Sequence, residues 1–136
     1  MLTIDVVSFS YKKGYPADST GNGGGFMFDC RFLHNPGRYA EYKELTGLDD
    51  SVREFIESES SMAEFLKHVY AIVGSAAANY QERGFEHLLI GFGCTGGQHR
   101  SVYAAEATAC RLAADFREAR VIVTHREQEL SRVITD

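Results

Sequence analysis

The sequence predicts an α/β protein: a single domain, residues 1–136, on an open, mostly parallel sheet flanked by helices, with a Gly-rich anion-binding loop between strand and helix. Three observations carry that expectation. Apolar, β-branched runs alternate with segments of helical periodicity, the order that builds parallel sheets. The last two predicted strands flank a helix, the layout of a right-handed crossover. Between them stands L-L-I-G-F-G-C-T-G-G-Q-H-R-S (Leu88–Ser101), an apolar run that ends in glycines and passes into an alanine-rich segment. Such a loop turns backbone N–H groups and a helix N-terminus toward one point, which favours a bound anion.

Taken in order, Leu2–Ser10 is rich in β-branched and aromatic residues and predicts a strand. Tyr11–Gly25 follows as a connection, its G-N-G-G-G run reading as a flexible turn, with a phosphate loop the alternative that the missing Lys-Ser/Thr of a Walker A motif disfavours. Phe26–Leu33 predicts a second strand, with Asp29 and Arg31 on one face and Phe28, Cys30 and Phe32 on the other. The polar H-N-P-G-R (34–38) then falls where open α/β sheets bind ligands. His34 has no second histidine at ligand spacing and reads as a surface residue.

Asp49 or Asp50 is the expected N-cap of a short helix running to Ser58. A longer helix opens at Ser60 or Ser61, with Glu64 completing a capping box if Ser61 is the cap. Met62, Phe65, Leu66, Val69, Ile72, Val73, Ala76 and Tyr80 keep the spacing of a buried helix face. Gly84 supplies the left-handed cap after Arg83. Phe85–Phe92 is the buried strand that feeds the key loop, and Ser101–Arg117 the helix after it. Small residues from Ala104 to Ala114 let that helix pack closely on the sheet. Val121–Thr124 is a last short strand, and Glu127–Asp136 reads as a terminal helix or a frayed tail.

Composition bounds the function. The chain is long enough to bury a core, and 44% hydrophobic with 24% charged residues is ordinary for a globular domain. No apolar run approaches the roughly 18 residues of a membrane span, and no charged-then-apolar leader is visible, so no membrane partner is expected. Cys30, Cys94 and Cys110 lack CxxC spacing, which argues against a disulfide framework or structural zinc and makes a reducing cytoplasm the expected compartment. Neither metal nor cofactor is expected. The net charge of −5 speaks against coating nucleic acid non-specifically. Charge is uneven, however: residues 41–64 hold eight acids, while Lys12, Lys13, Arg31 and Arg38 outnumber the three acids of the first 40 residues.

The loop admits two chemistries. Cys94-x5-Arg100-Ser101 has the outline of a cysteine phosphatase signature. In that case the thiolate attacks phosphorus, the loop and Arg100 hold the oxygens, and Asp29 is the one candidate for the leaving-group acid. Gly93 stands where that signature carries histidine. A binding site needs the same donors without the attack. Gly96 and Gly97 admit a phosphate to the backbone, and Thr95, Ser101 and the Arg100 fork add donors, with Gln98 and His99 beside them. A buried, inert Cys94 on a plain turn is the third reading.

Here the residues resemble a known family. G-C-T-G-G-Q-H-R-S-V-Y (93–103) is similar to the G-C-T-G-G-x-H-R-S-V of the C-terminal domain of RapZ (YvcJ-type) proteins. S-F-S-Y-K at 8–12, F-D-C-R-F-L-H-N-P at 28–36, T-G-L-D at 46–49 and H-R at 125–126 agree in the same order. The resemblance implies a sugar-phosphate-binding α/β fold that binds an amino-sugar phosphate or a nucleotide-like anion, is regulatory, and associates with small RNAs delivered to an endoribonuclease. It implies a phosphate site at Thr95, Gly96, Gly97, His99, Arg100 and Ser101. Asp29, Arg31 and Asn35 would line the neighbouring wall, with His125 and Arg126 close by. Full-length members carry a P-loop domain ahead of this one, and this chain has no Walker A motif.

The expected function is therefore non-catalytic binding of a small phosphorylated metabolite. A Cys-dependent phosphatase and an RNA-binding adapter are the alternatives. RNA contacts would fall to Lys12, Lys13 and Arg38, aided by homo-oligomerisation. The tail R-E-Q-E-L-S-R-V-I-T-D lacks the basic excess of RNA-binding members, so RNA is expected to bind weakly.

Overall fold

The computed structural model describes residues 1–22 and 24–134. Gly23 of the glycine run and the last two residues of the tail lie outside the described residues. The central strand is β1 (Thr3–Ser10), where Ile4, Val6 and Ser8 are buried and alternate with the half-buried Thr3, Asp5 and Val7. Parallel to it run β3 (His87–Cys94) on one side and β4 (Arg120–His125) on the other. β2 (Phe26–Asp29) lies outside β3, also parallel, and β5 (Leu130–Ile134) pairs antiparallel with β4. The strand order is β2-β3-β1-β4-β5.

That order, with right-handed crossovers, decides which connection covers which face. The moves β2 to β3 and β3 to β4 run in one direction across the sheet, so their helices share a face. The move β1 to β2 runs the other way, and its connection crosses the opposite face. The contacts agree. Ser8, Phe28, Phe92 and His125 are in register on one face. There Phe92 and Phe28 meet Phe65 of α2 (Met62–Glu82), and His125 meets Glu106 of α3 (Arg100–Asp115). On the other face Tyr11 packs edge-on and Tyr15 at a tilt against Phe9. Gly91 and Gly93 make room for this: a Cβ at 93 would lie 2.6 Å from the Tyr11 ring and 2.7 Å from Phe9.

The elements fall close to their expected places, with instructive shifts. β2 stops at Asp29, four residues early, because the Arg31 N–H turns back to Asp29 Oδ1 and the Leu33 N–H to the Cys30 carbonyl. Phe32 therefore leaves the Phe28–Cys30 face and stands 67% exposed, while Asp29 and Arg31 form an ion pair. α1 (Asp50–Glu59) starts after Asp49, whose carboxylate accepts from the Thr46 N–H rather than capping the helix. The capping box at Ser61 does not form; Ser60 Oγ accepts from the Met62 N–H instead. The buried stripe of α2 is Met62, Leu66, Val69, Val73 and Ala77. Ile72 lies a quarter turn off that line and is exposed.

Gly84, at φ +72°, caps α2 as expected, and the Phe85 N–H bonds the Tyr80 carbonyl. This holds Phe85 and Glu86 in the turn and starts β3 at His87. The described part of the tail, through residue 134, is neither an α-helix nor frayed. A short 3-10 turn (Arg126–Gln128) and Glu129 in the left-handed region (φ 55°) reverse the chain, and Leu130–Ile134 adds a fifth strand. Among the described residues no helix is long and apolar enough to cross a membrane.

Candidate functional site

The same topology places a crevice. β1 and β3 are neighbours whose following connections leave to opposite faces, the switch point at which open α/β sheets hold ligands beyond the carboxyl ends of their strands. A cavity of about 360 Å³ opens there, lined by Lys12 after β1, Cys94–Gly96 and Gln98–Arg100 after β3, and Asn35, Gly37 and Lys43.

Local bonds hold the loop in shape. Ser10 Oγ donates to the Thr95 carbonyl (2.6 Å), and Gln128 Nε2 to the Gly97 carbonyl (3.0 Å). Gly97 has φ +66°, in the left-handed region glycine tolerates, and a Cβ there would press on the Ser10 nitrogen at 2.8 Å. Glu127 Oε2 accepts from the Ser10 N–H (2.7 Å). Burial opposes ionisation of Glu127, but that bond and Arg126 hold its carboxyl below the usual range.

Arg100 opens α3 and is 4% exposed. One terminal nitrogen donates to the Arg31 carbonyl at 2.8 Å and the Leu33 carbonyl at 3.0 Å. Its Nε is buried without a hydrogen-bond partner, and among the described residues no carboxylate lies within ion-pairing distance of the guanidinium. Cys94, also buried, donates its thiol to Ser101 Oγ at 3.1 Å. Ser101 therefore sits behind the cavity wall rather than in its lining.

Gln98 and His99 turn the other way. Gln98 Nε2 donates to the Lys43 and Leu45 carbonyls, and His99 Nε2 to the Tyr42 carbonyl, which requires the Nε2-protonated ring. Three consecutive side chains that read as anion ligands thus also tie the loop to main-chain carbonyls between residues 31 and 45.

Of the neighbouring wall, Asn35 lines the cavity while its Oδ1 accepts from the Gly37 N–H. Asp29 and Arg31 form a bidentate pair just outside it (2.7–3.0 Å). The Arg31 bond holds the Asp29 carboxyl below its ordinary range. The Arg31 guanidinium covers the Tyr11 ring at 3.9 Å, and burial, then Asp29, push the Tyr11 hydroxyl up to about 12.

His125 and Arg126 do not reach the cavity lining. The His125 ring is 1% exposed, between Ser8 Oγ (2.8 Å) and Glu106 Oε1 (2.9 Å), and Glu106 also binds Arg132. Burial disfavours the Glu106 charge, yet Arg132 and His125 hold its carboxyl below the usual range. The Arg126 guanidinium donates to the Gly14 carbonyl and pairs with Glu127. Lys12 stands at the cavity, and the exposed Lys13 and Arg38 do not line it. Lys43 was missed by the sequence reading, since Y-A-E-Y-K-E carries no signal for it; Gly37 was not singled out but lies in the H-N-P-G-R stretch expected at the ligand end. Among the described residues no three potential ligands gather for a metal ion.

A small α/β domain with a polar, cation-lined crevice at its switch point is the class these features define. A model of the RapZ C-terminal domain matches residues 2–129, and the chain belongs to that family. A protein named "nucleotide-binding protein" from Brevibacillus brevis is 39% identical over 131 residues, covering 96% of this chain and 42% of its own length. One of the same description from Cereibacter sphaeroides is 43% identical, covering 96% and 40%. Another, from Fervidobacterium nodosum, is 35% identical, covering 95% and 43%. The chain thus spans about two fifths of the length of these relatives.

Proposed function

We propose that this domain binds a small phosphorylated metabolite, an amino-sugar phosphate or nucleotide-like anion, at the Cys94–Ser101 loop, without turning it over, in a regulatory role. The observation that carries this reading is Arg100: a buried guanidinium with an unpartnered Nε and, among the described residues, no carboxylate within ion-pairing distance, on a cavity shared with Lys12 and Lys43. A buried cation of that kind is costly unless an anion completes it. The phosphate would rest on Thr95, Gly96, Gly97 and Arg100, with Ser101 fixing Cys94 behind them. A cavity of about 360 Å³ suits a phosphate and one small ring. Three free cysteines fit the reducing cytoplasm in which this reading places the domain.

Catalysis is disfavoured by the acid. A leaving-group acid must hold its proton near neutrality, and Arg31 keeps Asp29 ionised. Inorganic phosphate is therefore expected to raise the melting temperature of the wild type and of Cys94→Ser alike, with no release of phosphate from an aryl phosphate. A burst of aryl alcohol with a trapped phosphocysteine would establish the phosphatase instead.

RNA is a weaker partner in this reading. Lys12, Lys13 and Arg38 are exposed, but Arg126 and Arg132 are each engaged by a glutamate. Filter binding is expected to show retention only at low salt, unless oligomerisation adds avidity. Tight, structure-selective binding at physiological salt, lost on neutralising Lys12 and Lys13, would restore the adapter role.

A further inference from the structure

We propose that residues 36–47 form a strap whose seating reports occupancy of the Thr95–Arg100 loop, so that Gln98 and His99 transmit binding rather than only support it. The inference rests on the anion site proposed above and concerns its regulation.

The strap has little of its own to hold it. It consists of two 3-10 turns, Pro36–Arg38 and Ala40–Tyr42, and its internal backbone bonds are local ones. Half of its residues are exposed. Segments built this way open at low free-energy cost. On one side Tyr39 and Tyr42 rest on Phe55 of α1, at centroid distances of 5.4 and 5.2 Å. On the other, the loop supplies four polar anchors, beside the bond between the Tyr39 hydroxyl and His34 Nε2 (2.9 Å) and that from the Thr46 N–H to Asp49. Gln98 Nε2 reaches the Lys43 carbonyl (2.5 Å) and the Leu45 carbonyl (2.6 Å). His99 Nε2 reaches the Tyr42 carbonyl (2.8 Å), and the Gly47 N–H donates to the Gln98 carbonyl (2.9 Å). The approach at Gly47 is so close that a Cβ would collide with the His99 carbonyl oxygen and lie 2.6 Å from the Tyr103 nitrogen.

The strap also carries a charge to the site, because Lys43 lines the cavity. An anion there attracts Lys43 from the strap and orders the loop from which Gln98 and His99 project. Both effects favour the seated strap over the open one, and a ligand shifts an equilibrium by just such a difference. Linkage makes the coupling reciprocal: a loosened strap must weaken the anion's hold.

Amide hydrogen exchange on the whole chain, with and without inorganic phosphate, tests this. Phosphate is expected to slow exchange in both 95–101 and 36–47, by about fivefold or more in the strap. In Gln98→Ala, at phosphate saturating that variant by its own thermal shift, protection should persist in 95–101 and vanish in 36–47. Gly47→Ala, which unseats the strap from its own side, should separate the two segments in the same way and serves if Gln98→Ala does not fold. Protection confined to 95–101 in the wild type, or kept in 36–47 by both variants, overturns the coupling and leaves the anion site standing. Protection in neither segment overturns the anion site, and the coupling with it.

Discussion

Arg100→Ala is expected to abolish the rise in melting temperature that phosphate gives the wild type. Ligand at a hundred times its Kd stabilises a protein by about 2.7 kcal/mol, and that whole increment should disappear. The ligand-free variant should also be weaker. The Arg100 guanidinium donates to two main-chain carbonyls in a 4%-exposed position. Hydrogen bonds to charged groups contribute about 1.5–3 kcal/mol each, and the carbonyls of Arg31 and Leu33 would be left short of a donor. Melting each variant with and without phosphate separates the two losses. Arg100→Lys keeps the charge without the planar fork, so it should recover part of the phosphate shift and little of the carbonyl anchoring. An Arg100→Ala protein that keeps the full shift would place the anion elsewhere.

Phe92→Ala is expected to be the most damaging single truncation in the core. Phe92 is 0% exposed, stacks with Phe28 at 5.4 Å and meets the edge of Phe65 at 6.5 Å. It is the point at which β2, β3 and α2 interlock. Truncations of this kind cost about 3–5 kcal/mol, against a total stability of about 5–15 kcal/mol for a domain. Urea unfolding should show a midpoint moved sharply down with an unchanged slope. A loss under about 1 kcal/mol would mean that the ring is not the keystone of this layer.

The strand–loop–helix unit was legible because its signals are local: a β-branched run, glycines, then alanines at helical density. The α2 stripe was legible for the same reason, although Ile72 entered it from the margin of the face. What escaped was set by distant partners. Nothing near Gln98, His99 and Arg100 announces that their donors end on carbonyls 53 to 69 residues away. β5 escaped because R-E-Q-E-L-S-R-V-I-T-D is polar and its strand is an exposed edge, where burial imposes no alternation. His125 was readable. It keeps the two-residue phase of Val121 and Val123, which face the core, and that phase predicts a buried ring.

The place of β1 in the sheet has a consequence for how the chain reaches its fold. Of the strands in this sheet, the first to be synthesised is the one that needs partners on both sides, and they lie far along the chain. Ser10 meets Thr95 across 85 residues, and Ser8 meets His125 across 117. Until β3 and β4 have been synthesised, Ile4, Val6 and Phe9 have no sheet to join. Non-local pairing of this kind makes folding slow, and an unpaired apolar strand is exposed to aggregation meanwhile. The central strand of this sheet is made first and housed last.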